Sequence, residues 1–508
     1  MKANATRRRA AAWSLGFSYL GQALSIVKGI VFVPLYLRHF GVDGYGAWLA
    51  SANVVSIIGL MELGVSNVLY QQLGHAFGAR DDARFARLVG AGFCWIIVLS
   101  GLFACAAAIA ATFIVDLVNA SASIRAPLLD TFMLVSVSAV LNLALANVIA
   151  ISHAWQRTGL GGSARLLGQA VELAVLVPTL LGGCGLVSLG LAALAGAAVS
   201  LAYVLIAVTR IWRQLGLPRP RLERETLREL ATTSAPLALS RIAGHAAGNI
   251  ETTLLAALVS PAAAAIYGIT DRMFRVATGF VNPIAGSVLS PMAHLVGERG
   301  VAAARAPLAE LSTIWCAVTA VVFPVLLVLN RDFTGLWVGE NNFGGVPLTV
   351  AICASAIAGS RLFFSFVSLT AIGEISKTAR VMLAEPLVRI PLMIFGLKYF
   401  GPVGLPLGAL VAAGAAGYFV LPRILAASIG LSGRHAIRAL FAGHYGVIAA
   451  FSVAVTAAFT LPSVRTWPGL AAFASAATLV TTVVTCTASG PIRRMAWART
   501  SRLLARTR

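Results

Sequence analysis

Leu311-Ser-Thr-Ile-Trp-Cys-Ala-Val-Thr-Ala-Val-Val-Phe-Pro-Val-Leu-Leu-Val-Leu329 contains no charged side chain. As a helix rising 1.5 Å per residue, it is long enough to cross a hydrocarbon core of about 30 Å. The runs Val346–Ile357, continuing past Arg361 to Ile372, and Ala471–Thr487 are also long enough to cross. Composition generalises the point. Of 508 residues, 58% are hydrophobic and 11% charged, with mean hydropathy +0.86. A soluble domain carries roughly 25% charged residues, so this chain cannot cover itself with a polar surface and lipid is its solvent. The fold class is an all-α polytopic membrane protein. Hydropathy places fourteen spans near 12–36, 46–70, 88–114, 126–150, 162–182, 186–210, 232–258, 263–290, 308–330, 346–373, 378–398, 403–426, 438–461 and 468–489.

A net charge of +21 and a pI near 10.9 would suggest nucleic acid in a soluble protein. The distribution removes that reading. With the N-terminus inside, 28 of the 39 Lys and Arg fall on the cytoplasmic side and 5 on the other. That is the bias of the positive-inside rule. Lys28, Arg241, Arg272, Arg275, Arg361 and Arg389 lie within spans. Both termini are expected in the cytoplasm, with an uncleaved first helix, in the bacterial inner membrane. Trp13, Trp48, Trp155, Trp212, Trp337 and Trp467 fall near span ends, where amphipathic rings favour the headgroup region. Six scattered cysteines suggest neither a disulfide framework nor a metal site.

The longest stretch outside the membrane, about 211–231 with Pro218-Arg-Pro-Arg-Leu-Glu-Arg-Glu, is too short to be a domain and marks a boundary between halves. Motifs recur across it. Gly182-x-x-Gly185 and Ala195-Gly-Ala-Ala198 return as Gly401-x-x-Gly404 and Ala413-Gly-Ala-Ala416, at offsets of 219 and 218, and Tyr45-Gly46 returns as Tyr267-Gly268 at 222. The repeat predicts a lobe over 1–210, a cytoplasmic linker over 211–231, and a second lobe over 232–426. Two helices over 438–489 and a basic tail over 490–508 follow. An even number of spans per lobe makes the repeat parallel, related by a pseudo-two-fold along the membrane normal. Transporters of this kind carry their site at the repeat interface near the midplane.

Ionisable groups inside spans cost at least about 2.5–3.5 kcal/mol each, so they face a cavity or one another. Glu385 and Arg389, and Asp271 and Arg275, are spaced for i,i+4 pairing. Arg272 has no local partner. Arg241 and His245 share a helical face with no acidic neighbour within a turn, and Lys28 stands isolated on the first span, with Glu251 as one conceivable partner. Arg361 sits deep in the tenth span. Candidate anion-binding groups are therefore Arg241, Lys28, Arg272, Arg275, His245 and Arg361. Glu62 and Glu172, in the first lobe, are candidates for a proton or sodium site. No phosphate loop, H-E-x-x-H or His/Cys cluster with ligand spacing occurs, so neither enzyme chemistry nor direct use of ATP is expected.

Pro34-Leu-Tyr-Leu-Arg-His-Phe-Gly41-Val-Asp-Gly-Tyr45-Gly46-Ala-Trp48, followed by Met61-Glu-Leu-Gly64-Val-Ser, resembles the start of Wzx-type polysaccharide flippases. These belong to the multidrug/oligosaccharidyl-lipid/polysaccharide exporter superfamily. Asn249-Ile-Glu251-Thr-Thr-Leu-Leu and Ala265-Ile-Tyr267-Gly268 resemble its entry into the eighth helix. The resemblance implies translocation of an undecaprenyl-diphosphate-linked oligosaccharide by alternating access, for lipopolysaccharide or exopolysaccharide synthesis. It also implies no cofactor, coupling to Na+, H+ or membrane potential, and a polysaccharide polymerase and glycosyltransferases as partners beside membrane lipid. A diphosphate cannot cross hydrocarbon unaided, and arginines can hold it by charge-assisted, often bidentate bonds. Alternatives within the superfamily are a cation-coupled multidrug exporter and a lipid II flippase. From another class, a scaffold of a glycan-assembly complex would have no need of charges in its spans.

Overall fold

A computed structural model describes residues 2–59, 65–155, 157–230, 250–286, 300–430 and 443–495, with isolated residues between 232 and 299 and Trp497. It is helical almost throughout. Each of the fourteen expected spans has a helical counterpart among the described residues, the seventh through its final turns alone. Eight helices among those residues are long and apolar enough to cross a membrane. Contacts divide the chain into two compact units, Met1–Ala265 and Ile266–Arg508.

The first unit opens with α1 (Lys2–Gly59), interrupted at Gly41 (φ 70°, ψ 176°). Positive φ is cheap for glycine, and this residue turns what would be one rod into the first span and the start of the second. Then come α2 (Val65–Gly78), α3 (Asp82–Leu117), α4 (Arg125–Ala154), α5 (Thr158–Leu181), α6 (Val187–Gln214) and α7 (Glu251–Leu258). Asp81 caps α3 by accepting from the Arg84 backbone N–H at 2.8 Å. The α5–α6 crossing is close because it is built from small residues. A Cβ on Gly196 would lie 2.7 Å from the Gly168 carbonyl oxygen, and Ser200 Oγ donates to the Ala164 carbonyl oxygen at 3.0 Å. Ile97, Leu102, Ile109 and Phe113 of α3 are exposed, as an apolar face toward lipid should be.

One expectation is modified here. Trp155, predicted for the headgroup belt, is buried, stacking with Phe85 at 6.2 Å and meeting Trp212 at 6.1 Å. It sits at a helix end, but sealing that end of the bundle buries more of the ring than the interface would. The described part of the linker, 211–230, packs on the first unit. Arg87 bridges Glu223 at 2.9 Å, Trp95 Nε1 donates to the Leu227 carbonyl at 3.2 Å, and a Cβ on Gly90 would lie 2.2 Å from the Arg221 carbonyl oxygen. The segment lies against α3.

The second unit contains most of α8 (Pro261–Gly286), then α9 (Arg305–Val338), α10 (Val346–Ala371), α11 (Ile375–Phe400) and α12 (Gly404–Gly414). A π-helical turn over Ala415–Val420 continues α12 into Leu421–Ser428. The last two helices are α13 (His444–Thr460) and α14 (Trp467–Ala488), which pack against α9 and each other. Glu374, in the turn before α11, accepts from Ser428 Oγ at 2.8 Å and from Lys377 at 3.1 Å. The Ser428 hydroxyl, then Lys377, hold its carboxyl below the usual carboxylate range.

The recurring glycine motifs do not share a backbone conformation. Gly185 and Gly401 take positive φ (55° and 62°), whereas their counterparts by offset, Gly404 and Gly182, have φ of −65° and −75°. Gly196 is packed hard against α5, while its counterpart Gly414 has nothing within reach of a Cβ. In the second unit α11 and α12 approach closely at Gly404 and Gly408, where a Cβ would lie 1.9 Å from the Gly396 and 2.5 Å from the Leu392 carbonyl oxygen, and Gly417, inside the π turn, meets α10, with a Cβ 2.8 Å from the Leu362 backbone nitrogen.

Candidate functional site

In the first unit, the crossing of α1 and α5 brings Lys28 Nζ to 2.5 Å from Glu172 Oε1. Lys28 is therefore not isolated, and its partner is Glu172 rather than Glu251. The reason lies in tertiary packing, which joins charges on distant spans that a helical wheel cannot relate. The two side chains are 20% and 31% exposed, so the pair is shielded yet open on one side. That side is a cavity of about 370 Å³ lined by α4, α5 and α6, with Asn142, Arg165, Gln169, Glu172 and Ser200 on its wall. Gln169 Oε1 is buried without a hydrogen-bond partner, leaving an acceptor beside the Glu172 carboxylate. Glu172 thus stands on the cavity wall with the Lys28 ammonium on its carboxylate. Arg165, Asn142 and Gln169 escaped the sequence reading. Amides give no ionic signal, and Arg165 lies near a span end, where arginine is common.

In the second unit, α8 carries Asp271, Arg272 and Arg275. Arg275 Nε pairs with Asp271 along the helix, as the i,i+4 spacing predicts. Arg272 Nε is buried with no hydrogen-bond partner. Arg389 Nε lies 3.1 Å from Glu385 Oε1 on α11, the other expected intrahelical pair. Arg361 is 1% exposed. Its guanidinium carbon lies 5.2 Å from the centre of the Phe364 ring, 5.7 Å from Trp315 and 6.0 Å from Tyr418. Tyr418 comes from the π turn. The ring faces offset part of the cost of burying the cation, and the enclosed guanidinium presents no open surface to a ligand. The structure thus gathers Lys28 with Glu172, and Arg272 with Arg275, and encloses Arg361 separately. Arg241, His245 and Glu62 lie outside the described residues. Among the described residues no group of three or more His, Cys, Asp or Glu could hold a metal ion.

Comparisons with known proteins place this arrangement. Residues 14–294 match the family described as "Polysaccharide biosynthesis protein". No curated protein sequence matches the chain. Among solved structures, the fold is similar to that of the lipid II flippase MurJ in an inward closed conformation, with TM-score 0.66 and 12% identity over 93% of this chain and 98% of that one. It is also similar to an inward-facing multidrug resistance MATE family transporter of the MOP superfamily, with TM-score 0.62 and 14% identity over 81% of this chain and all of that one. A third is the Vibrio cholerae MATE transporter VcmN in its bent form, with TM-score 0.53 and 17% identity over 86% and 99%. The family match covers more than half the chain and the structural matches extend over most of it: the chain belongs to the polysaccharide biosynthesis protein family, on the fold of the multidrug/oligosaccharidyl-lipid/polysaccharide exporter superfamily.

Proposed function

We propose that this chain flips an undecaprenyl-diphosphate-linked oligosaccharide from the cytoplasmic to the outer leaflet of the inner membrane, by alternating access, and supplies surface polysaccharide synthesis. The family match over residues 14–294 carries this reading. In it, the repeat units over 1–210 and 232–426 exchange conformations about the substrate, and glycosyltransferases and a polymerase act before and after the flip.

In this reading each unit has a part. In the second unit, Arg272 and Arg275 supply guanidinium groups on one helix, and the buried Nε of Arg272 is a donor in want of an acceptor such as a phosphate oxygen. Arg272 lies eleven residues into α8, or about 16 Å along a core of about 30 Å, the depth at which a diphosphate most needs compensation. In the first unit, Glu172 couples the cycle to an ion gradient: when a proton or Na+ takes the carboxylate, Lys28 is released. The side chain that changes state is thus tied to α1, the helix interrupted at Gly41.

Deleting the gene should abolish surface polysaccharide and cause lipid-linked oligosaccharide to accumulate with its sugars facing the cytoplasm. The likeness to multidrug transporters, together with a carboxylate in a cavity of the first unit, supports a second reading as a cation-coupled drug exporter. Increased retention of cationic dyes by the deletion strain, with surface polysaccharide intact, would decide for that second reading.

A further inference from the structure

Near the end of α9 lies a charged residue that the flipping mechanism does not use. Asp332 is 7% exposed, next to Arg331 and just beyond the apolar stretch of the helix, six residues before its C-terminal end. The Val464 backbone N–H donates to its carboxylate, tying α9 to the loop joining α13 and α14. Its other demand is unmet, because Oδ1 is buried with no hydrogen-bond partner. A buried carboxylate oxygen without a donor is costly, more so than a neutral group.

Asp332 lines a cavity of about 400 Å³ whose wall also carries Arg331, Glu340, Ser463 and Arg465. Two guanidinium groups and two carboxylates face one space, so the cavity has no net charge but strong local fields of both signs. On its membrane side Asp332 and Arg331 also border a closed apolar crevice of only about 10 Å³ between Leu327, Ala457, Leu461 and Phe473. Phe333 packs against Trp337 at 5.3 Å and Trp467 at 6.1 Å. Aromatic rings of this kind mark the headgroup level, and six residues from the helix end is about 9 Å.

A ligand suited to this space carries an ammonium with N–H donors for Asp332 and a phosphate for Arg331 and Arg465, a few ångströms apart at headgroup depth. We propose that the cavity binds the headgroup of an aminophospholipid of the phosphatidylethanolamine class, phosphate on Arg331 and Arg465 and ammonium on Asp332, with its acyl chains in the surrounding lipid. The bound lipid fastens the last two helices to α9. A quaternary ammonium cannot make the Asp332 hydrogen bond, and a glycerol headgroup offers Asp332 only a hydroxyl donor without the ammonium's charge.

The test is native mass spectrometry of the delipidated full-length protein in detergent, titrated with dioleoyl lipids bearing ethanolamine, choline or glycerol headgroups. Ethanolamine lipid should be retained about tenfold more strongly than either other, the scale of one hydrogen bond to a charged group. Asp332→Asn, nearly isosteric, should erase that preference, and Arg465→Gln, in an exposed loop, should weaken retention of the ethanolamine lipid several-fold. Equal retention of the three lipids by the unmodified protein overturns the proposal whatever the variants do. So does a preference that survives in a folded Asp332→Asn protein, or an equal gain in thermal stability from free ethanolamine or Na+ without lipid.

Discussion

Glu172 and Lys28 form the pair on which ion coupling would turn, and their shielding makes the consequences of substitution asymmetric. Lys28→Ala leaves a half-buried carboxylate without its cation, which for a well-buried pair costs about 3–5 kcal/mol and less where water reaches the group. The protein should therefore accumulate to lower levels, and adding Glu172→Gln to Lys28→Ala should restore them. Glu172→Gln alone should retain substrate while losing dependence on a Na+ or H+ gradient. Parallel measurement of abundance by immunoblot and of gradient-dependent export checks both, and unchanged gradient dependence would reduce the pair to structure. Arg241 lies outside the described residues, and its expectation stands on the sequence. Arg241→Ala should abolish export at normal abundance if its partner is a substrate phosphate, and Arg241→Lys should rescue only in part because the bidentate fork is lost. At this scale the sequence was legible wherever partners share a helix: Asp271 with Arg275 and Glu385 with Arg389 follow from spacing alone. Lys28 with Glu172, and the ring enclosure of Arg361, arise where separate helices cross, and no periodicity along the chain encodes which helices those are.

Helices show how small residues set geometry. Gly46 belongs to the Tyr-Gly motif that carried the family resemblance, and the structure gives it a physical role, since a Cβ there would lie 1.7 Å from the Pro261 carbonyl oxygen, within the first unit. Backbone cannot yield as a flexible side chain can, so Gly46→Val should separate the second span from the start of α8 and sharply lower the yield of folded protein in detergent. Gly74→Val, at a glycine with nothing within reach of a Cβ, is the matched control and should be tolerated. Size-exclusion profiles of the two variants make the comparison. The spans themselves were readable because a lipid-crossing helix must be long and apolar. The π turn at Ala415–Val420 was not, because its sequence is as apolar and small as the α-helix on either side. Its effect is to bring Gly417 against α10 and Tyr418 to Arg361, which the repeat, mapping Gly414 onto Gly196, does not suggest.

For the whole molecule, the charge bias makes topology the broadest expectation. Reporter fusions after Arg228, Arg299 and Arg434 should report the cytoplasm, and fusions near Asn342 and Arg465 the opposite side. A signal from the opposite side at Arg434 would sink the fourteen-span arrangement. Fold and family were legible in the sequence because composition and the motifs at 34–66 and 249–268 both carry them. The transported molecule is less so, since one fold serves lipid-linked glycans and drugs and differs in side chains drawn from many spans. Transport itself is therefore the measurement that matters most. Purified protein should be reconstituted into vesicles loaded with an undecaprenyl-diphosphate-linked oligosaccharide, and glycan on the inner leaflet followed as it becomes accessible to an added glycosidase. The account predicts that an imposed ion gradient accelerates exposure over protein-free vesicles, and that Glu172→Gln removes the acceleration. Exposure at the protein-free rate by correctly inserted protein, under every gradient, would contradict it.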